Sequence, residues 1–119
     1  MKIRFLLDEN LDPAINRGLI QRDPAIDIVC IGDAEAPPKA TADPAILVYV
    51  ERTARLLVTN NRVSLPGHLA AHFAAGRRHW GIFQMGDQLS LGEVIDELSL
   101  LWEVSEAEER RDIVEWLPL

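Results

Sequence analysis

Ile3-Arg4-Phe5-Leu6-Leu7 runs directly into Asp8-Glu9-Asn10, and the reading of these residues decides the fold. The run is apolar on both sides of the chain apart from Arg4. A strand of that kind belongs in a sheet covered on both faces, which means a parallel sheet packed between helices. The polar triplet then ends it. Asp12-Pro13 follows, an N-cap residue and a proline suited to the first helical turn. Leu11, Ile15 and Leu19 recur every four residues and give that helix one buried stripe.

Working outward, the same alternation repeats. Residues 26–31, 55–59 and 80–85 read as further strands. Asp43-Pro44 opens a second helix striped by Ile46, Leu47, Val50 and Ala54. A third helix spans 65–75, with Leu65, Leu69 and Phe73 on one face. Ser90 caps the clearest helix, in which Leu91, Val94, Ile95, Leu98, Leu101 and Trp102 share a stripe. Ser105 with Glu108 has the spacing of a capping box before a short charged helix. Residues 113–117 read as a last strand. Residues 34–42, with Pro37-Pro38, read as an exposed loop. Strand–helix alternation at this spacing predicts an α/β fold, three layers α/β/α. Its central, mostly parallel sheet has four to five strands and right-handed crossovers. The first and third strands are expected in its middle. One domain over 1–119 is expected, as the chain has 119 residues and domains cluster near ~100–150.

Composition narrows the function classes. Hydrophobic residues make up 48% and charged residues 26%, which excludes a disordered or low-complexity chain. Twelve basic residues against 19 acidic give a formal charge of −7. That argues against a passive nucleic-acid binder, which relies on a basic surface; Arg77-Arg78-His79 is the one tight basic cluster. It does not exclude a metal-dependent nuclease, whose ions bring the positive charge. No apolar run approaches the ~18 residues of a membrane span. The apolar opening is too short for a signal-peptide core. A lone cysteine, Cys30, fits a reducing cytoplasm.

In an open parallel sheet, sites lie beyond the carboxyl ends of the strands. Those ends carry Asp8-Glu9-Asn10, Asp33, Thr59-Asn60-Asn61-Arg62 and Asp87. Asp43 begins the helix that feeds the third strand, so it either caps that helix or faces the same crevice. Oxygen ligands of this kind suit Mg²⁺ or Mn²⁺. Asp12 reads as a cap, and Asp33 and Asp87 as turn residues. Asn60-Asn61-Arg62 forms either a turn or a phosphate-holding group. His68 and His72 stand at i and i+4, but no third strong ligand neighbours them, which disfavours zinc. Cys30 reads as a small buried hydrophobe. Dinucleotide, Walker and nucleophile-elbow motifs are absent.

Phe5-Leu6-Leu7-Asp8-Glu9-Asn10-Leu11 with Pro13, then Ala42-Asp43-Pro44-Ala45-Ile46-Leu47, then Leu56-Leu57-Val58-Thr59-Asn60 together resemble a family of small bacterial PIN-like proteins. The likeness covers nearly the whole chain. It implies an α/β/α fold and an Mg²⁺- or Mn²⁺-dependent ribonuclease, the toxin-like half of a toxin–antitoxin pair. Asp8 and Asp43 would hold the metal, Glu9 would stand beside Asp8, and Asn61 would complete the shell. Asn10, Asn60, Arg62 and His68 would contact substrate. RNA and a cognate antitoxin-like protein are the implied partners, and a homodimer is a further expectation. Most relatives carry acids where this chain has Asn61 and Val63, so the site has lost negative charge. The alternative is an inactive PIN-like binding or regulatory module. A phospho-acceptor domain fits less well, because the third strand ends in Asn60 and no Lys follows Lys39.

Overall fold

Within each strand the side chains alternate between two faces, and each face finds its own helices. The computed structural model describes residues 1–117. In chain order these form β1 (Arg4–Leu7), α1 (Ala14–Arg22), β2 (Asp27–Cys30), α2 (Asp43–Thr53), β3 (Leu56–Thr59), α3 (Leu65–Ala74), β4 (Ile82–Met85), α4 (Leu91–Val104), a 3₁₀ turn (Ala107–Arg110) and β5 (Val114–Leu117). The five strands make one sheet in the order β2-β1-β3-β4-β5, and every neighbouring pair is parallel. The expected α/β fold with a parallel central sheet is thus present. β3 is central with β1 beside it, and the strand read at 113–117 is β5.

Phe5, Leu7, Val58, Phe83 and Met85 point to one face, where α1 and α4 cover them with Ile15, Leu19, Val94 and Leu98. Leu6, Val29, Leu57 and Ile82 point to the other, under Ile46, Leu47, Val50 and Leu65 of α2 and α3. Phe5, Leu6 and Leu7 are all almost wholly buried, each worth about 1.5–3 kcal/mol relative to exposure. That two-sided burial is what the unbroken apolar run predicts. Gly18 allows α1 and α4 their close approach: a Cβ there would lie 2.3 Å from Ile95 Cδ1.

One expectation fails. Steps β3–α3–β4 and β4–α4–β5 move the same way along the sheet, yet their helices lie on opposite faces. The two crossovers therefore have opposite hands. The first three share one hand, so with the usual right hand for those the last is left-handed. The physical reason is coverage. On α1's face, Val58, Phe83 and Met85 need a helix, and α4 supplies it. The chain then returns along the amino edge of the sheet, tied by Ala107 N to Met1 O at 2.7 Å and by a bridge between Lys2 and Glu106. As a consequence no helix among the described residues covers the other face of β5. An apolar groove of about 430 Å³ remains there, between Leu69 and Phe73 of α3 and Val114 and Trp116 of β5.

Local signals hold with one shift. Ser90 and Glu93 form the capping box of α4. The box before the 3₁₀ turn is formed by Glu106 and Glu109, not by Ser105 and Glu108. Ser105 is buried instead, and its Oγ accepts from Arg110 Nη2 at 3.2 Å. No helix among the described residues is long and apolar enough to cross a membrane.

At the amino edge of the sheet, Asp27 closes a structural cluster. Arg4 Nε donates to its Oδ2 at 3.0 Å and the buried Arg55 donates Nη1 to its Oδ1 at 2.9 Å. Arg55 also donates to Phe5 O at 2.9 Å. Partial burial alone would raise the Asp27 carboxyl, but Arg55 and then Arg4 outweigh it and hold the group below its ordinary value.

Candidate functional site

The chain leaves β1 toward β2, then crosses back over β1 to enter the sheet again at β3. The carboxyl ends of β1 and β3 are therefore the point where the direction of winding reverses, the usual crevice for ligands in open α/β sheets. Asp8 stands at the first of these ends. Its backbone N–H still donates to Val58 O at 3.0 Å, which fixes where its side chain departs. Thr59, buried at the end of β3, donates Oγ1 to Asp8 Oδ2 at 2.7 Å. Glu9 N donates to Asp8 Oδ1 at 2.7 Å.

From Thr59 the chain of bonds continues to Asp43. Asn61 N donates to Thr59 Oγ1 at 3.1 Å, and Asn61 Nδ2 donates to Asp43 Oδ2 at 3.0 Å. Ser64 Oγ donates to the same Asp43 oxygen at 3.1 Å. Asp43 opens α2, whose N-cap is Ala42 with no side-chain cap bond. The capping reading of Asp43 therefore fails. Its side chain turns to the β3–α3 turn instead of to its own helix amides. Asp12, by contrast, does turn to its own helix: from just before the N-cap Pro13 it accepts at Oδ1 from Ala14 N at 2.9 Å.

Both carboxylates are thus held by neutral donors. The nearest basic group to Asp43 is His68, with Nε2 3.9 Å from Oδ2. Asn61 is positioned by its side chain and its backbone. Its Oδ1 accepts from Ser64 N at 3.1 Å, so the amide oxygen is already engaged. Its backbone rests on the buried amide of Gln84, oriented so that nitrogen meets Asn61 O and oxygen meets Asn61 N, each at 3.3 Å.

The remaining expected site residues divide. Glu9 lines the crevice, but its Oε1 accepts from Ala40 N at 2.9 Å, which ties down the 32–42 loop. Arg62 is paired with Asp87, Nη2 to Oδ2 at 2.6 Å. Asp87 is therefore an ion-pair partner, not a turn residue alone. Asn10 is exposed and Asn60 half-buried; neither side chain makes a hydrogen bond among the described residues. His72 is buried against Arg78 O at 2.9 Å, apart from the acidic edge that His68 faces. His79 is buried, its Nδ1 accepts from Gly81 N at 3.0 Å, and burial holds it below the ordinary imidazole range. No three His, Cys, Asp or Glu side chains are arranged to hold a metal among the described residues.

Thr59 stands at a strand end singled out in the sequence, though with no role assigned there, whereas Ser64 and Gln84 do not stand out as site residues. Gln84 does carry a signal. It is a polar residue inside the apolar run Ile82-Phe83-Gln84-Met85, and a buried amide needs a partner. Ser64 carries none, because its role arises only when the third strand's turn meets the start of α2.

Beyond Asp8 and Glu9 a cleft of about 560 Å³ opens between α1 and the 32–42 loop. Cys30 lines it. Burial pushes the thiol up, and Asn16 Nδ2 donates to its Sγ at 3.3 Å. The group is a neutral thiol and not a ready nucleophile. In comparisons with known proteins, no family model, no curated protein and no solved structure matches this chain.

Proposed function

We propose that the carboxyl edge of the sheet binds Mg²⁺ or Mn²⁺ through Asp8 and Asp43, and that the protein is a weak metal-dependent ribonuclease of the PIN-like type. The observation that carries this reading is the continuous bond chain Asp8–Thr59–Asn61–Asp43. It ties acids from β1 and α2 together at the winding reversal. The donor set is hard oxygen, the chemistry such cations require. Its charge is not cancelled by arginine or lysine. Two carboxylates supply less charge than a fuller acidic cluster, and charge count tunes affinity. The Asn61 oxygen serves Ser64, so water and substrate phosphate would fill the rest of the shell.

A bound divalent ion would polarise a phosphoryl oxygen and acidify an attacking water. The chain's own residues have simpler tasks. Thr59 and the Glu9 amide fix Asp8, while Asn61 and Ser64 fix Asp43. His68, whose Nε2 lies 3.9 Å from Asp43 Oδ2, would donate to a phosphate. The resemblance also supports a toxin-like role beside a cognate antitoxin-like protein.

A second reading, a binding module without turnover, is favoured by one observation. Asn61 Nδ2 and Ser64 Oγ both donate to Asp43 Oδ2, so that oxygen already has two partners within the chain. Cleavage of labelled single-stranded RNA in excess Mn²⁺ separates the two. The ribonuclease reading expects slow cleavage by the wild type, none by Asp8→Asn, and faster cleavage by Asn61→Asp. Cleavage that survives Asp8→Asn overturns the residue assignment. If wild type and Asn61→Asp bind Mn²⁺ and neither cuts, the module reading stands instead.

A further inference from the structure

Charge pairing across the molecule leaves an uneven remainder. Most arginines lie against a carboxylate: Arg4 and Arg55 on Asp27, Arg22 on Asp96, Arg62 on Asp87, Arg77 on Glu51 and Arg78 on Asp112. Without a carboxylate partner among the described residues are Lys2 and Arg111, which lie over Trp102 and Trp80, Arg52 on α2, and the pair Arg17 and Lys39, although the chain carries a net charge of −7. Arg17 and Lys39 both line the same cleft, the one that opens at Asp8. Its volume of about 560 Å³ lies inside the ~300–1,000 Å³ range of small-molecule sites. Leu7, Leu11 and Ile31 give it an apolar floor.

The wall carrying Lys39 is built in advance. Gly32 N donates to Pro37 O at 2.8 Å, Asp33 Oδ2 accepts from Cys30 N at 2.8 Å, and Ala40 N is held by Glu9. Gly32 has φ +102°, and a Cβ there would sit 3.1 Å from Lys39 Cγ. Glycine at this position both makes the turn and leaves room for the lysine stem. The acids on the cleft keep their charge but are turned to neutral donors, Asp33 to Cys30 N, Glu9 to Ala40 N and Asp8 to Thr59 Oγ1, and none forms an ion pair with Arg17 or Lys39.

We propose that this cleft is a nucleotide subsite, in which Arg17 and Lys39 hold a phosphate and the apolar floor packs the attached sugar and base. It takes one nucleotide of an RNA strand next to the Asp8–Asp43 edge. For the polymer it rests on the ribonuclease reading. A free mononucleotide presents the same chemistry, and the test distinguishes the two.

The experiment measures binding in EDTA at low salt, so that no divalent ion contributes. The probes are a fluorescein-labelled single-stranded RNA hexamer and uridine 5′-monophosphate. The proteins are the wild type, Arg17→Ala with Lys39→Ala, and Arg52→Ala as a control. Arg52 is an exposed cation on α2, away from the cleft and without a carboxylate partner among the described residues. The double variant should bind the hexamer about tenfold more weakly than the wild type, and Arg52→Ala should match the wild type. The salt slope should flatten by roughly 0.7 for each phosphate no longer neutralised. Hexamer binding well above mononucleotide binding supports the strand subsite. Equal binding of the two overturns the strand and leaves a mononucleotide pocket. A double variant that binds like the wild type, or a wild type that binds neither probe, overturns the subsite. If the double variant fails to bind yet no protein cuts RNA in Mn²⁺, the ribonuclease reading falls and the subsite stands.

Discussion

The two ends of the same strands handle half-buried acids in opposite ways. At the amino edge, Asp27 meets two guanidinium groups, Arg4 and the buried Arg55. At the carboxyl edge, Asp8 and Asp43 meet a threonine, a serine, an asparagine and a backbone amide. Both arrangements satisfy hydrogen bonds, but only the first cancels charge. Where an acid serves the fold, a cation of the chain neutralises it. Where neutral donors hold it, the charge stays uncancelled. This contrast also separates Arg55, spent on Asp27 and the Phe5 carbonyl, from Arg17 and Lys39, which face the open cleft.

The largest test of that contrast is Arg55→Ala. It strips the Phe5 carbonyl and Asp27 of a buried partner, and should cost about 2–3 kcal/mol in urea unfolding, since Asp27 keeps some solvent. Metal affinity at the opposite edge should not change. A variant as stable as the wild type would mean the amino-edge cluster is decorative.

Asp27→Asn should cost less, about 1–2 kcal/mol near neutral pH, because Arg55 keeps one acceptor. Its signature is the pH dependence. The Asp27 carboxyl is held below its ordinary value of 3.8 in the folded protein. Its stabilisation is therefore complete above pH 3.8 and is lost as pH falls through the lower folded value. Unfolding of wild type and Asp27→Asn, followed down from pH 5, should converge in that acid window. Parallel curves throughout would mean that the ion pair does not stabilise the fold.

The smallest expected effect is Asp43→Asn, within about 0.5 kcal/mol of the wild type, as a surface change that retains an acceptor for Asn61 and Ser64. Thermal unfolding without divalent ions checks it. A loss as large as that of Arg55→Ala would make Asp43 a structural acid like Asp27.

Much of this is legible in the chain. Apolar runs such as Phe5-Leu6-Leu7 declare burial on both faces, and Ser90 with Glu93 declares the start of α4. The choice of face for α4 is not legible, because an amphipathic stripe states that a helix is buried and not where. Asp43 is ambiguous for a related reason. A helix-initial acid before proline looks the same whether it caps or turns outward, and only the meeting of Asn61 and Ser64 with α2 decides. Arg62 reads as a phosphate contact, but Asp87, 25 residues on, claims it. Pairings at that separation leave no local pattern. The free cations of the cleft emerge only once the partners of the other arginines are known.

The proposal that charge at the carboxyl edge serves a cation is tested most directly by calorimetric titration of Mn²⁺ into the wild type, Asp43→Asn, Asn61→Asp and Asp27→Asn. Weak binding is expected for the wild type, with none for Asp43→Asn. A third carboxylate in Asn61→Asp should tighten binding about five- to tenfold, as ligand charge tunes affinity. Asp27→Asn should bind like the wild type. Equal affinity in all four proteins would contradict the account, because the acids at the two edges would then be doing the same thing.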